Sequence, residues 1–84
     1  MKFTVTWTDE ARDELCELFM AVPFRSELSR VVNTLESELA RRPESLGESR
    51  ESNIRVLMGS HFGLMFEVLP DDCLVQVLHI GWLP

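Results

Sequence analysis

The sequence predicts an α+β fold in the order β-α-α-β-β-β, an antiparallel sheet with a helical hairpin on one face. Three observations predict it. Residues 53–82 read as three consecutive strands, Asn-Ile-Arg-Val-Leu-Met, Phe-Gly-Leu-Met-Phe-Glu-Val and Leu-Val-Gln-Val-Leu-His-Ile. Two amphipathic segments of helical period precede them, and a short alternating segment opens the chain.

From Lys2 to Trp7, Phe3, Val5 and Trp7 share one side and Lys2, Thr4 and Thr6 the other, the pattern of a half-buried strand with Trp7 in the core. Thr8 supplies an N-cap hydroxyl, and Asp9 and Glu10 suit the positive end of a helix. Ala11, Leu15, Leu18, Phe19 and Val22 recur at helical spacing until Pro23 stops the segment. Ser26 is placed to cap a second helix whose stripe is Leu28, Val31, Val32, Leu35 and Leu39, ended by Pro43. The short connection between them predicts an antiparallel pair. Phe24, in that connection, suits either a cap on the hairpin or a dimer contact. Glu44 to Ser52 is polar, contains Gly47 and reads as the most mobile loop.

Gly59-Ser60 and Pro70-Asp71-Asp72 mark the turns between the last three strands. Pairing Leu69 with Leu74 puts Phe62, Leu64, Phe66 and Val68 on one face with Val75, Val77, His79 and Gly81. This nearly continuous apolar face is assigned to the core beneath the helices. The opposite face then holds Gly63, Met65 and Glu67 with Gln76, Leu78, Ile80 and Trp82. A three-residue first turn adds Arg55 and Leu57 to it. Met65, Leu78, Ile80 and Trp82 make an apolar strip, which is either covered by the long loop or a terminal segment, or a docking groove for a partner.

At 84 residues the chain reads as a single domain, 1–84, and its 45% hydrophobic content is enough for one core. No run approaches the roughly 20 apolar residues of a membrane span, and the start turns acidic at Asp9-Glu10, unlike a signal peptide. A cytoplasmic location follows as the default. Cys16, Cys73, His61 and His79 have no metal-ligand spacing, so neither metal nor cofactor is expected, and both cysteines read as ordinary reduced thiols. Fourteen acids against eight bases give a formal charge of −6, which disfavours binding to a polyanion. The densest basic pair, Arg41-Arg42, suits the negative end of the second helix. The acidic loop at 44–52 lacks the glycine and lysine spacing of a phosphate-cradling loop.

The opening Trp-Thr-Asp-Glu-Ala, the segment Ile-Arg-Val-Leu and the strand Phe-Gly-Leu-Met-Phe-Glu-Val, in this element order, resemble the RelE/ParE superfamily of toxins over nearly the whole chain. The resemblance implies a toxin of a type II toxin–antitoxin pair, silenced by an antitoxin that wraps around it. One branch of that family cleaves messenger RNA in the ribosome and another poisons DNA gyrase. The functional surface implied is the sheet face away from the helices.

RNA-cleaving members carry bases on the strand matched by Asn53 and Arg55, and only Arg55 is charged here. Their arginine after an aromatic falls at Gly63, following Phe62; a further base falls near Leu83. The chain has no tyrosine and ends at Pro84. Cleavage by a ribose hydroxyl needs a base, a cation at the phosphate and an acid for the leaving oxygen. Arg50, Arg55 and His79 are the candidate catalytic residues, histidine being suited to proton transfer near neutral pH. In the register above His79 falls on the core side, where a histidine more often serves structure. The expectation is therefore a toxin-like protein acting mainly by protein binding, leaning away from an enzyme. Leu57, Met65, Leu78, Ile80 and Trp82 are its partner-binding candidates and a cognate antitoxin its partner. The alternatives are a ribosome-dependent mRNA endonuclease with a rearranged site, and a non-toxic regulatory or oligomerisation module, including a homodimer. Nucleic acid is expected as a partner only on the ribosome.

Overall fold

Strand β1 (Thr4–Trp7), helices α1 (Asp9–Ala21) and α2 (Arg25–Arg41), and strands β2 (Glu48–Glu51), β3 (Ile54–Met58), β4 (Phe62–Leu69) and β5 (Leu74–Trp82) follow one another along the chain. The computed structural model describes residues 2–23, 25–59 and 61–82; the readings on Phe24, Ser60, Leu83 and Pro84 lie outside them. The strand order is β1-β5-β4-β3-β2. β5–β4, β4–β3 and β3–β2 are antiparallel, while β1 joins β5 in parallel, so the sheet is mixed rather than wholly antiparallel.

The helix boundaries follow local chemistry. The Thr8 hydroxyl accepts the Ala11 N–H and starts α1, and Val22, ahead of Pro23, ends it. Ser26 lies inside α2, which begins at Arg25, so it is not the cap. At the other end of α2, Arg42 Nε donates to Glu38 Oε2 at 2.7 Å. The Arg42 hydrogen bond outweighs an opposing desolvation and, with added attraction from the charges of Arg42 and Arg41, holds the Glu38 carboxyl below the ordinary carboxylate range.

Residues 44–52 are not one open loop. A 3-10 turn, Pro43–Ser45, leads into β2, all four of whose residues are exposed. A strand wetted on both faces has no alternating apolar signal; only its pairing to β3 reveals it. Gly47 makes the bend with φ +66, and a Cβ there would run into the Val56 carbonyl oxygen, so only glycine fits.

Both helices pack on one face of the sheet. Ala11, Val22, Leu28, Val32 and Leu39 meet Phe62, Leu64, Phe66, Val68, Val75, Val77 and Ile80 in one apolar cluster. Phe66 is fully enclosed at its centre, a burial worth about 1.5–3 kcal/mol. Trp7 packs against this cluster and donates its ring N–H to Glu36 at 3.1 Å. Neither Cys16 nor Cys73 is in a disulfide.

The predicted pairing of Leu69 with Leu74 is present and holds as far as Phe66 with Val77. There the register shifts. Met65 pairs with His79 and Leu64 with Ile80, leaving Leu78 as the extra residue of a β-bulge. Beyond the bulge the faces exchange, so Ile80, expected on the outer face, is core at 4% exposure, and His79, expected in the core, is exposed. The cause lies on the outer edge of β5, where β1 has ended and α1 takes its place. The Thr8 hydroxyl donates to the Leu78 carbonyl, and the Glu14 carboxylate accepts the Ile80 N–H at 3.0 Å.

Candidate protein-binding surface

On the sheet face away from the helices, β3 contributes Ile54, Val56 and Met58, which pair across with Glu67, Met65 and Gly63 of β4. Val56 and Met65 form the centre of an apolar patch, and Met58 at its end is 62% exposed. Glu48 and Glu51 of β2, opposite Val56 and Ile54, border it. Arg50, the cation of that border strand, lies 3.4 Å from Glu48. The surface is apolar with an acidic margin, and it is assembled from β3 and β4, whereas the expected strip drew mainly on β5.

Arg55 and Leu57 do not join it. Arg55 pairs with Phe66 and Leu57 with Leu64, both core residues, so both side chains belong to the helix side. The expected three-residue turn is replaced by a hairpin in which Met58 pairs with Gly63 and the Gly59 N–H donates to the Phe62 carbonyl. Arg55 is half-buried there, Nε donating to the Leu46 carbonyl at 2.7 Å and Nη2 to that of Gly47 at 3.1 Å. A forked guanidinium suits such a pair of carbonyls, and it ties the chain entering β2 to β3.

His79 lies on the opposite side, next to Met65, with Nδ1 3.2 Å from Glu14 Oε2. Arg50 is on the surface of β2, Arg55 is beneath β3 and His79 is on the outer side of β5. The three candidate catalytic residues are not brought together.

The partner-binding candidates are also redistributed. Leu57 and Ile80 line a cleft of about 250 Å³ between α2 and the β3–β4 hairpin, with Val31, Leu35, Phe62 and Leu64. Glu27, Gly59 and His61 complete its lining. Trp82, 41% exposed, adjoins it, its ring edge-on to Phe62 with centroids 5.4 Å apart and stacked on His61 at 5.8 Å. Met65 stays on the outer patch and Leu78 sits at the bulge. Sequence reading missed Val31, Leu35 and Phe62 as surface formers, because a residue lining a cleft has the same helical or strand spacing as one in the core. Val56 and Met58 were legible as an alternating pair once the hairpin register was known.

No protein-family model matches the chain, and no curated protein matches it. Solved structures do. A chain of the toxin–antitoxin complex RelBE2 from Mycobacterium tuberculosis superposes with a TM-score of 0.81 at 21% identity, covering 99% of this chain and 93% of that one. The chain has the RelE/ParE toxin fold. A chain of the chromosomal ParDE system from P. aeruginosa gives a TM-score of 0.70 at 16% identity, covering 99% of this chain and 98% of that one. The isolated E. coli RelE toxin gives 0.65 at 17%, covering all of this chain and 86% of the other. On this RelE/ParE fold no described helix is long and apolar enough to cross a membrane. The likeness is one of scaffold; activity depends on the side chains it carries.

Proposed function

We propose that this chain is the toxin-like half of a type II toxin–antitoxin pair, held by a cognate antitoxin and acting mainly through protein binding. The fold it shares with chains from toxin–antitoxin systems supports the antitoxin as its partner. The observation that carries binding over RNA cleavage is the separation of Arg55 from His79. General acid–base cleavage needs a cation and a proton carrier at one phosphate. Arg55 is turned toward the helices and committed to two backbone carbonyls, while His79 faces outward beside Glu14.

The test has two parts. The product of the reading frame beside this one should co-purify with the chain at a fixed stoichiometry. Ribosomes programmed with messenger RNA and mixed with the purified chain should leave the message intact, even if growth stops in cells that express it. Cleavage of the message at defined codons would replace the binding reading with the endonuclease one.

A further inference from the structure

We infer that a polar pocket between the Pro43–Ser45 turn, the β2–β3 turn and the end of β4 binds a small free α-amino acid by both its carboxylate and its ammonium group. The pocket is separate from the cleft and from the outer sheet face, and the inference does not rest on the antitoxin reading.

The pocket has a volume of about 160 Å³. That is room for roughly five waters at about 30 Å³ each, which suits a guest the size of glycine or alanine. It is well below the roughly 300–1,000 Å³ of drug-sized sites. Arg55 and Glu44 bring opposite charges to its lining, Ser49, Ser52 and Asn53 bring neutral polar groups, and Val68 and Pro70 are apolar. Ser52 holds φ 49, a left-handed conformation that glycine adopts without strain, yet the residue there is one that carries a hydroxyl.

Arg55 is prepared for a carboxylate. Its bonds to the Leu46 and Gly47 carbonyls use the Nε–Nη2 edge of the guanidinium and hold the group in place. The Nη1–Nη2 edge makes no hydrogen bond among the described residues. That edge carries a parallel pair of N–H groups, the fork that grips both oxygens of a carboxylate. Because the guanidinium is already fixed, binding costs little further side-chain entropy.

Glu44 selects against a simple anion. The ion pairs among the described residues are Arg42–Glu38, Arg50–Glu48 and His79–Glu14, so Glu44 and Arg55 line one small pocket without bridging each other. Phosphate or acetate would be drawn to Arg55 and repelled by Glu44. A zwitterion satisfies both, with its carboxylate at Arg55 and its ammonium at Glu44. The serine hydroxyls and the Asn53 amide can each donate or accept, so they suit either end of the guest.

NMR titration of the isotope-labelled chain with glycine, acetate and methylammonium tests this. Glycine should shift the amides of Ser49, Ser52, Asn53 and Arg55 saturably in the millimolar range, and acetate should bind at least several-fold more weakly. Glu44→Gln should erase the advantage of glycine over acetate. Arg55→Lys should weaken both ligands, because an ammonium lacks the fork. Met20→Gln, at an exposed site on α1, should change nothing. Circular dichroism checks the fold of each variant, and Glu44→Gln, at an exposed position, decides should Arg55→Lys fail to fold. A melting temperature that rises with glycine concentration in the parent but not in Glu44→Gln would be further support. The inference is overturned if neither glycine nor alanine gives a saturable shift at these amides. Acetate binding as tightly as glycine would overturn it too, as would Glu44→Gln keeping the full preference for glycine.

Discussion

Arg55 and His79 belong to opposite faces of one sheet. Arg55 pairs across with the fully buried Phe66, whereas His79 pairs with Met65, the next residue along β4. The hairpin register sets the first placement and the Leu78 bulge the second. A ligand large enough to touch both would have to pass around the sheet.

Arg55 is therefore expected to act on stability. Arg55→Ala should lower unfolding free energy by about 2 kcal/mol, since two charged hydrogen bonds to half-buried carbonyls disappear together. Arg55→Lys should recover less than half, because an ammonium lacks the fork that spans Leu46 and Gly47. Urea denaturation of the three proteins measures both effects.

Glu14 is expected to hold the end of β5. Glu14→Ala leaves the Ile80 N–H without its acceptor and should cost about 1–2 kcal/mol. Glu14→Gln keeps a carbonyl acceptor and should restore most of that. Hydrogen exchange at the Ile80 amide is the direct reading: fast in the alanine variant, slow in the glutamine variant.

Gly47→Ala should destabilise by about 2–4 kcal/mol, combining a left-handed backbone with a Cβ driven against the Val56 carbonyl. Thermal unfolding shows the shift. A melting temperature equal to that of the parent would mean that the bend relaxes without cost.

Glu38 supplies a pH dependence with a definite sign. Its carboxyl titrates lower in the folded chain than in the unfolded one, chiefly through its hydrogen bond from Arg42. The resulting contribution to stability is present above the unfolded value and is lost as pH falls through the folded value. Arg42→Ala should move the Glu38 titration, followed by NMR, up toward the ordinary range. At this partly exposed helix end the accompanying change in stability should be slight.

The helices were legible because their signals are local: Thr8 caps its own first turn, and the stripe from Ala11 to Val22 repeats every three or four residues. The Leu69–Leu74 pairing was legible for the same reason, as only Pro70–Asp72 and Cys73 intervene. The bulge was not. It depends on Thr8 and Glu14 reaching residues 70 and 66 positions away, and no periodicity encodes such contacts. One added residue then carried Ile80 inward and His79 outward, reversing half of the expected site. Arg55 and Leu57 changed sides because the hairpin differs in length from the expected turn. β2 was hidden by its composition, Glu-Ser-Arg-Glu, which gives neither face an apolar character.

The way α1 shields the last residues of β5 bears on how such a molecule avoids sticking to its own kind. A stretch of backbone beyond the end of β1 would otherwise invite an intruding strand from another molecule. With its carbonyl at Leu78 and its amide at Ile80 already engaged, that stretch is closed to zippering. Greasy side chains can then remain on display nearby without seeding fibrils.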